Sequence, residues 1–302
     1  MRQMILLSGS SHQAFAKALS KQAHIPLAEV DLSMFPNGDR RVWVKTSVAN
    51  EDVILVQSFS YPVDTHLIEY ALLVDAVERA GARSIIALVP WMGYSLQDKV
   101  FRSGEPIAAR VAADIISHKN IRQVVLMDLH NNSVAAFFST PTTILSPLEL
   151  FVDDALEHYS KNELVVISPD FGGLKRASVF AKAVGAEIHH IDKVRDLHTG
   201  KVQAKFVGGD IRGKVCVVID DCINTGSTII EGARELKKHG AKRVVFYATH
   251  ALLGGNASQA LQKSEVDEVI VSDTVSVEGK IFPKLRVLSV VPLFAEALKK
   301  LL

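Results

Sequence analysis

The sequence predicts an α/β protein made of two doubly wound domains with mainly parallel sheets. Short β-branched and aliphatic runs alternate along the chain with amphipathic helical patterns, and this order is typical of parallel sheets. Most of the short runs are almost continuously apolar, as strands covered on both faces are. The chain has 302 residues, of which 48% are hydrophobic, so it can build one large core or two of ordinary size.

Eleven segments have the length and composition of strands. They are residues 4–8, 41–46, 52–58, 84–90, 123–129, 164–168, 187–191, 214–220, 243–249, 268–272 and 286–291. Because eleven strands are too many for one compact sheet, the pattern favours two sheets, each in its own domain.

Amphipathic stretches between these runs predict the helices. Examples are residues 65–82, 106–118 and 227–241. The second and third of these end in the Gly or polar residues that typically stop a helix.

One proline-bearing segment, STPTTILSP at residues 139–147, predicts the connection between the domains. The first domain is then expected to cover residues 1–142 and the second residues 143–289. The final PLFAEALKKLL predicts a helix, within residues 290–302, that packs back on the first domain.

Composition excludes several classes of function. Thirty-four basic residues against 33 acidic ones give a net charge of +1, so no global field favours nucleic acid or an anionic membrane. The N-terminal apolar run is too short for a signal segment, and no stretch reaches the ~18 apolar residues of a membrane span. We therefore expect a cytoplasmic protein that binds neither nucleic acid nor membrane.

The chain has two cysteines, Cys216 and Cys222, which lie on or just after one predicted strand. A disulfide between them would distort that strand, so buried free thiols are expected.

Two adjacent carboxylates, Asp220 and Asp221, follow the apolar run VVI at the expected exit of a strand. Like charges repel there, and burial disfavours each ionised carboxylate, so a ligand is needed to explain the pair. Thr225, Gly226, Ser227 and Thr228 then form a turn into the next helix, where amides and hydroxyls can surround a phosphate.

Such a site fits a phosphorylated ribose. The carboxylates would accept hydrogen bonds from sugar hydroxyls or hold a divalent cation, while the turn takes the 5-phosphate. An acidic strand end followed by an ordinary capped helix would give the same residues, since Ser and Thr are good N-caps.

A second glycine-rich segment, GGDIRGK at residues 208–214, matches the spacing of a nucleotide-binding P-loop. Val215 stands where such a loop needs Ser or Thr for magnesium. The segment also joins two predicted strands rather than a strand and a helix, so we expect a hairpin turn.

Nine segments together resemble the ribose-phosphate diphosphokinases, also called phosphoribosyl pyrophosphate (PRPP) synthetases. These segments are FPNGDRRV (35–42), SVANEDVILVQS (47–58), VPWMGYSLQDKVFRSGEPIAAR (89–110), VLMDLH (125–130), VISPDFGGLKRA (166–177), IDKVR (191–195), VVIDDCINTGST (217–228), THALLGG (249–255) and VSDTV (271–275). No single motif is unique, but their order and spacing are specific. The resemblance implies domains of the type I phosphoribosyltransferase-like fold and transfer of the diphosphoryl group of ATP to the 1-hydroxyl of ribose 5-phosphate, with Mg²⁺, giving PRPP and AMP.

The resemblance also implies residue roles. The ribose 5-phosphate loop falls on Asp220, Asp221, Asn224, Thr225, Gly226, Ser227 and Thr228. Many members carry Asp at position 224, and Asn can still hydrogen-bond a sugar hydroxyl without adding charge.

Two strand-end residues, His130 and Asp170, are implied to lie around magnesium and the ATP phosphates. Mg²⁺ prefers oxygen ligands, so we expect Asp170 to contact the metal and His130 to act largely through the phosphates or a coordinated water. A satisfied strand-end residue is the alternative for each.

The segment KVRDLHTGK begins with Lys193 and Arg195, which share a side if the chain is extended. The resemblance implies that this polar segment closes over the substrates and that the two cations stabilise the transition state. The alternative is a solvated basic loop.

For ATP the resemblance points to two groups of residues, Phe35, Asn37 and Asp39, and Gln97, Asp98 and Lys99. Many members carry Arg before the Gln, where this chain has Leu96, and an acid where it has Phe101. The donor site is therefore where this chain departs most from the family.

Three functions remain open. A PRPP synthetase is favoured because the ribose loop, His130, Asp170, Lys193 and Arg195 occur together. The others are a non-catalytic regulatory homologue, supported by the departures at the donor site, and a phosphoribosyltransferase, since that fold shares the acidic-pair loop. The resemblance also implies a homo-oligomer, a dimer or a hexamer.

Overall fold

A computed structural model describes residues 4–117, 120–195 and 202–301; the side chains of residues 193–195 and 202–203 lie outside this description. The chain divides into two compact units. Unit 1 comprises residues up to Ser146 together with Thr274–Ser276 and the segment from Ser289, and unit 2 comprises Pro147–Asp273 and Val277–Leu288.

Unit 1 contains a five-stranded parallel sheet in the order β1-β4-β5-β6-β7. A separate antiparallel pair, β2 and β3, lies between β1 and β4 in the chain. The strands are β1 (Met4–Ser8), β2 (Val30–Met34), β3 (Arg40–Val44), β4 (Asp52–Val56), β5 (Ser84–Val89), β6 (Ile121–Met127) and β7 (Thr142–Leu145).

Helices of unit 1 bury the apolar faces of this sheet. They are α1 (Gln13–Ala23), α2 (Val63–Arg79), α3 (Ala108–Ile116) and, from the end of the chain, α8 (Val291–Leu301). All five residues of β4 are buried, as expected for a strand covered on both faces. One core combines alternate strand residues with α2 and α3, while α8 packs against α1.

Unit 2 contains a seven-stranded sheet in the order β10-β9-β8-β11-β12-β13-β14. All neighbours are parallel except β9 and β10. The strands are β8 (Leu164–Ser168), β9 (Glu187–Arg195), β10 (Val202–Val207), β11 (Val215–Ile223), β12 (Arg243–Ala251), β13 (Glu268–Ser272) and β14 (Leu285–Leu288).

The helices of unit 2 are α4 (Leu148–His158), α5 (Leu174–Val184), α6 (Ser227–Lys238) and α7 (Ala257–Lys263). Side chains of α4 and α5 form one core with alternate residues of the central strands, and those of α6 and α7 form another. Both faces of the sheet are therefore covered, which explains the continuous apolar runs in the sequence.

Three sequence-based expectations are wrong in detail. Residues 139–147, predicted to connect the domains, include the change from unit 1 to unit 2 after Ser146, but they also contain β7, because Thr142–Leu145 pair with β6 at the sheet edge. Residues 208–214 join β10 to β11, but β9 and β8 lie between those strands, so the turn is not a hairpin. The third concerns β11, which continues past Asp220 to Ile223.

Candidate functional site

The strand order of unit 2 reverses between β8 and β11. From β8 the chain passes through α5 to β9 on one side, and from β11 it passes through α6 to β12 on the other. Ligands of doubly wound sheets bind at such a switch point, beyond the carboxyl ends of the two strands. Asp170 follows β8, and Asp220 and Asp221 lie in the last four residues of β11, so the topology places all three at this point.

Asp220 and Asp221 lie within a strand rather than after one, which is why Asp221 is only 3% exposed. The Asp221 amide donates to Asp220 Oδ1 at 2.9 Å. Burial, the neighbouring Asp221 carboxylate and, more weakly, the Asp170 carboxylate raise the pKa of Asp220 well above its ordinary value. The carboxylates of Asp221 and Asp170 thus each repel that of Asp220, and a cation or hydroxyl donors would relieve this repulsion.

The loop from β11 to α6 presents hydroxyl groups to solvent. Thr225 and Ser227 are exposed, with their oxygens 3.1 Å apart, whereas Gly226 is buried at a φ of 77°. That left-handed backbone begins α6 at Ser227. The first turn of α6 carries no acidic residue, so its free amides and positive end favour an anion.

The loop that follows β12 is hydrogen-bonded to the loop between β11 and α6. The amides of Leu253 and Gly254 donate to the carbonyls of Ile223 and Asn224 at 3.0 and 2.9 Å. Lys280 Nζ donates to the Leu252 carbonyl at 2.6 Å, and partial burial lowers the pKa of this ammonium group. The backbone of the candidate ribose loop is therefore tied to neighbouring chain rather than free in solvent.

Asp170 lies in the turn between β8 and α5. Its Oδ1 accepts from the Gly173 amide at 3.0 Å, and Ser168 Oγ donates to its carbonyl at 2.6 Å. No group of three or more His, Cys, Asp or Glu side chains within the described residues could hold a metal ion. Asp170 and Asp220 nevertheless fit Mg²⁺, which takes one or two carboxylates and completes its shell with water and phosphate oxygens.

Lys193 and Arg195 lie at the carboxyl end of β9, where they pair with Ala204 and Val202 of β10. Their side chains, and residues 196–201 of the segment predicted to close over the substrates, lie outside the described residues. Their roles stay predictions.

In unit 1, the residues after β5 and β6 come together. Asn131 Nδ2 donates to Asp98 Oδ2 at 2.8 Å, which places the segment of Gln97 and Asp98 beside the segment that follows His130. Since β5 and β6 are neighbouring parallel strands, both segments leave the same edge of the sheet. His130, Gln97 and Lys99 are exposed there.

The remaining residues of the candidate ATP site, Phe35, Asn37 and Asp39, lie in the turn between β2 and β3. Asn37 Nδ2 donates to Asp39 Oδ2 at 2.7 Å, and the Phe35 amide donates to the Asp39 carbonyl at 2.8 Å. The Phe35 ring is 49% exposed, with the Arg41 guanidinium 6.0 Å from its centroid. An exposed aromatic ring beside paired polar groups can stack on a base.

The chain is similar to proteins of one family along its whole length. A family model described as the N-terminal domain of ribose phosphate pyrophosphokinase matches residues 4–119, and one described as the phosphoribosyl synthetase-associated domain matches residues 184–302. A ribose-phosphate pyrophosphokinase of Buchnera aphidicola subsp. Schizaphis graminum is 36% identical, with 100% of this chain and 96% of the relative covered. The chain belongs to the ribose-phosphate pyrophosphokinase family.

Other members of the ribose-phosphate pyrophosphokinase family are equally similar. The protein of Pasteurella multocida is 35% identical over 98% of this chain and 95% of its own length. The crystal structure of phosphoribosylpyrophosphate synthetase from Mycobacterium smegmatis matches with a TM-score of 0.93 and 33% identity over 99% of both chains. The family and the α/β class with mainly parallel sheets, both predicted from the sequence, are confirmed.

Three side chains near the candidate nucleotide residues were not predicted from the sequence. Asn131 holds Asp98, and Arg40 forms an ion pair with Glu69, which is 1% exposed. The one available signal was Glu69, a lone charge within the apolar run LIEYALLV, because a carboxylate is rarely buried without a partner.

None of the helices in the described part of the chain is long and apolar enough to cross a membrane.

Proposed function

We propose that the chain transfers the diphosphoryl group of ATP to the 1-hydroxyl of ribose 5-phosphate, giving PRPP and AMP. The observation that carries this proposal is the acidic pair next to a hydroxyl-lined helix start, at the switch point of unit 2, in a chain that matches pyrophosphokinases along its whole length.

Ribose 5-phosphate binds at unit 2. Its phosphate accepts hydrogen bonds from the loop of Thr225, Gly226, Ser227 and Thr228, at the positive end of α6. Asp220, Asp221 and Asn224 accept hydrogen bonds from the sugar hydroxyls, which orients the 1-hydroxyl as the attacking group.

Magnesium, when bound, neutralises charge on the phosphate oxygens. Asp170 and Asp220 would hold it, since each is a hard oxygen donor and the two already repel one another. His130, beside the candidate nucleotide residues of unit 1, would contact the ATP phosphates.

The nucleotide binds through Phe35, Asn37 and Asp39, with Gln97, Asp98 and Lys99 as a second group. In diphosphoryl transfer the protein contributes mainly positioning and charge stabilisation. Lys193 and Arg195 supply the cations for the charge that develops on the transferred group.

The test is an assay for AMP and PRPP with purified protein, ATP, Mg²⁺ and ribose 5-phosphate. We expect both products in equal amounts, and none from Asp220→Ala. Release of AMP without PRPP would contradict the proposal, and release of pyrophosphate only when a nucleobase is supplied would favour a phosphoribosyltransferase. Repeating the assay with other nucleoside triphosphates identifies the donor.

A regulatory homologue is the second candidate, and the donor site favours it. Leu96 replaces an expected Arg, and Phe101, 65% exposed, lies under Lys99 with the ammonium 5.1 Å from its ring centroid. Lys99 is thereby held by a neighbour rather than by an acid at position 101. Ribose 5-phosphate binding without turnover from any triphosphate would support this candidate.

We also propose a homo-oligomer, a dimer or a hexamer, on the family resemblance. Light scattering on the purified protein gives the mass directly, and a monomer at micromolar concentration would contradict this proposal.

A further inference from the structure

Unit 1 contains a buried carboxylate that no substrate role explains. Glu69 lies on α2 and its side chain is 1% exposed, yet its carboxylate contacts four donor groups from three residues. The Ser10 amide and hydroxyl donate to its two oxygens at 2.7 and 2.9 Å, and Gln57 Nε2 donates at 2.9 Å. Arg40 Nη2 lies 2.7 Å from Glu69 Oε2.

Arg40 is the cationic partner in this cluster, which we call the Glu69 cluster (Ser10, Arg40, Gln57 and Glu69). The same Arg40 nitrogen donates to Ser10 Oγ at 3.1 Å. A buried ionised carboxylate is costly without a paired charge, and removing one partner of such a pair is strongly destabilising. Arg40 therefore has a fixed place, which flexible surface arginines lack.

The cluster joins separate elements of unit 1. Ser10 follows β1, Gln57 follows β4, Glu69 lies in α2, and Arg40 begins β3. Arg40 alternates with Val42 and Val44, which pack on the core of unit 1. The end of β3 nearest the turn is thus held by an ion pair, and the rest of the strand by apolar contacts.

The position of Arg40 matters because it directly follows Asp39. β2 and β3 form a sheet of only two strands, and an isolated pair of strands is marginally stable in water. The turn at 35–39 is exposed and carries Phe35, Asn37 and Asp39, so its orientation depends on how the adjoining strand ends are anchored.

We propose that Arg40 is a positioning residue for nucleotide binding. Through the Glu69 cluster it fixes the end of the β2–β3 hairpin, and so sets where Phe35, Asn37 and Asp39 meet the nucleotide. This inference rests on the proposed ATP role of that turn. In this proposal Arg40 acts through the hairpin and not by contact with a substrate.

The experiment compares Arg40→Met with Arg83→Met. Arg83 is a matched control, because it pairs with the largely buried Asp52 in the same unit but at the amino-terminal edge of the sheet. We expect Arg40→Met to raise KM for ATP by roughly tenfold or more, since small displacements of a positioning group have large kinetic effects. KM for ribose 5-phosphate should stay within about twofold of the parent value.

Two further variants separate positioning from general damage. In Arg40→Met/Glu69→Gln no buried charge is left unpaired, so Tm should recover towards the parent value while KM for ATP stays raised. Arg40→Lys keeps the charge but lacks the guanidinium fork and should recover part of the ATP affinity. Full recovery of KM in the double variant would overturn the proposal, because the effect would then come from the unpaired carboxylate alone.

Hydrogen–deuterium exchange of the hairpin peptide, residues 30–45, gives a readout that does not need catalysis. Arg40→Met should increase exchange there and Arg83→Met should not. Unchanged exchange in Arg40→Met would overturn the positioning role even if the enzyme is active. Increased exchange with an unchanged KM for ATP would instead show that the turn is anchored as inferred but does not bind the nucleotide.

Discussion

At the scale of single residues, Asp220 is the candidate site residue whose charge the fold disfavours most clearly. Burial and two neighbouring carboxylates raise the pKa of Asp220. A carboxyl group whose folded pKa is raised stabilises the protein below its unfolded pKa, and that stability is lost as the pH rises through the folded pKa. At neutral pH, Asp220 is therefore a destabilising residue that its ligands must compensate.

Asp220→Asn should accordingly stabilise the ligand-free protein at pH 7 by roughly 0.5–2 kcal/mol, the range of a single favourable substitution. The gain should vanish below about pH 4, where an unfolded aspartate is itself protonated. The same variant should lose turnover, because a ligand of the sugar or metal is gone. Denaturant unfolding across pH measures the effect, and a pH-independent gain would contradict the electrostatic explanation.

Leu96 lies where the family resemblance predicts a cation in the proposed donor site. Leu96→Arg should lower the Kd for ATP by ~10-fold to 100-fold, because a charge-assisted hydrogen bond to phosphate contributes about 1.5–3 kcal/mol. Calorimetric titration with ATP gives the Kd directly. An unchanged Kd would mean that this chain has no phosphate within reach of position 96.

Lys193 is a further prediction about a single residue. Its proposed contact with the transferred group forms only in the transition state. Lys193→Ala should lower kcat by at least about 100-fold and leave the Kd for both substrates within about twofold. Single-turnover rates and equilibrium titrations separate these quantities. A weakened Kd with normal kcat would assign Lys193 to ground-state binding instead.

At the scale of elements, the glycine that precedes α6 sets the backbone conformation of the candidate ribose loop. Gly226 has a φ of 77°, and a Cβ there would lie 3.1 Å from the Leu261 side chain. A residue other than Gly pays roughly 1–2 kcal/mol for the left-handed backbone, and the contact with α7 adds to that cost. The loop should then shift, because neither α6 nor α7 can retreat without disturbing a shared core.

Gly226→Ala should therefore raise KM for ribose 5-phosphate by at least ~10-fold, in addition to lowering stability. Gly185→Ala is the matched control, since Gly185 has a φ of 73° at the end of α5 but open space around a Cβ. It should lose about 1 kcal/mol of stability and keep the parent KM. Equal KM values for both variants and the parent would argue against the phosphate role of this loop.

The same elements show what the sequence could predict. The buried parallel strands β4, β8 and β11 were visible because strands covered on both faces are apolar at every position. β2, β7 and β10 were missed because each is an edge strand with a less apolar sequence, which gives a weaker strand signal.

The candidate site divides in the same way. The candidate ribose loop could be proposed from the sequence because Asp220 to Thr228 are contiguous and their chemistry is local, and its ligand stays a prediction. The Glu69 cluster was not, because Arg40 and Glu69 are 29 positions apart and meet only through the packing of β3 on α2. The extension of β11 past the acidic pair was also hidden, since two adjacent Asp residues are unfavourable in an isolated strand.

At the scale of the whole molecule, each unit has its own core. Phe294 of α8 is fully buried in unit 1, where it packs edge-on against Phe15 with ring centroids 5.5 Å apart. Phe180 of α5 is fully buried in unit 2, among the side chains of α4 and the central strands. Compact units with separate cores commonly unfold as separate transitions.

Phe294→Ala and Phe180→Ala should each cost about 3–5 kcal/mol, because each leaves a cavity in a close-packed core. We expect scanning calorimetry to show two transitions, with Phe294→Ala lowering one and Phe180→Ala the other. Ribose 5-phosphate should raise only the transition that Phe180→Ala lowers, since its proposed site lies wholly in unit 2 and a ligand stabilises what it binds. If both variants lower one common transition, the units unfold together; if the ligand raises the transition of unit 1 alone, the ribose site is misassigned.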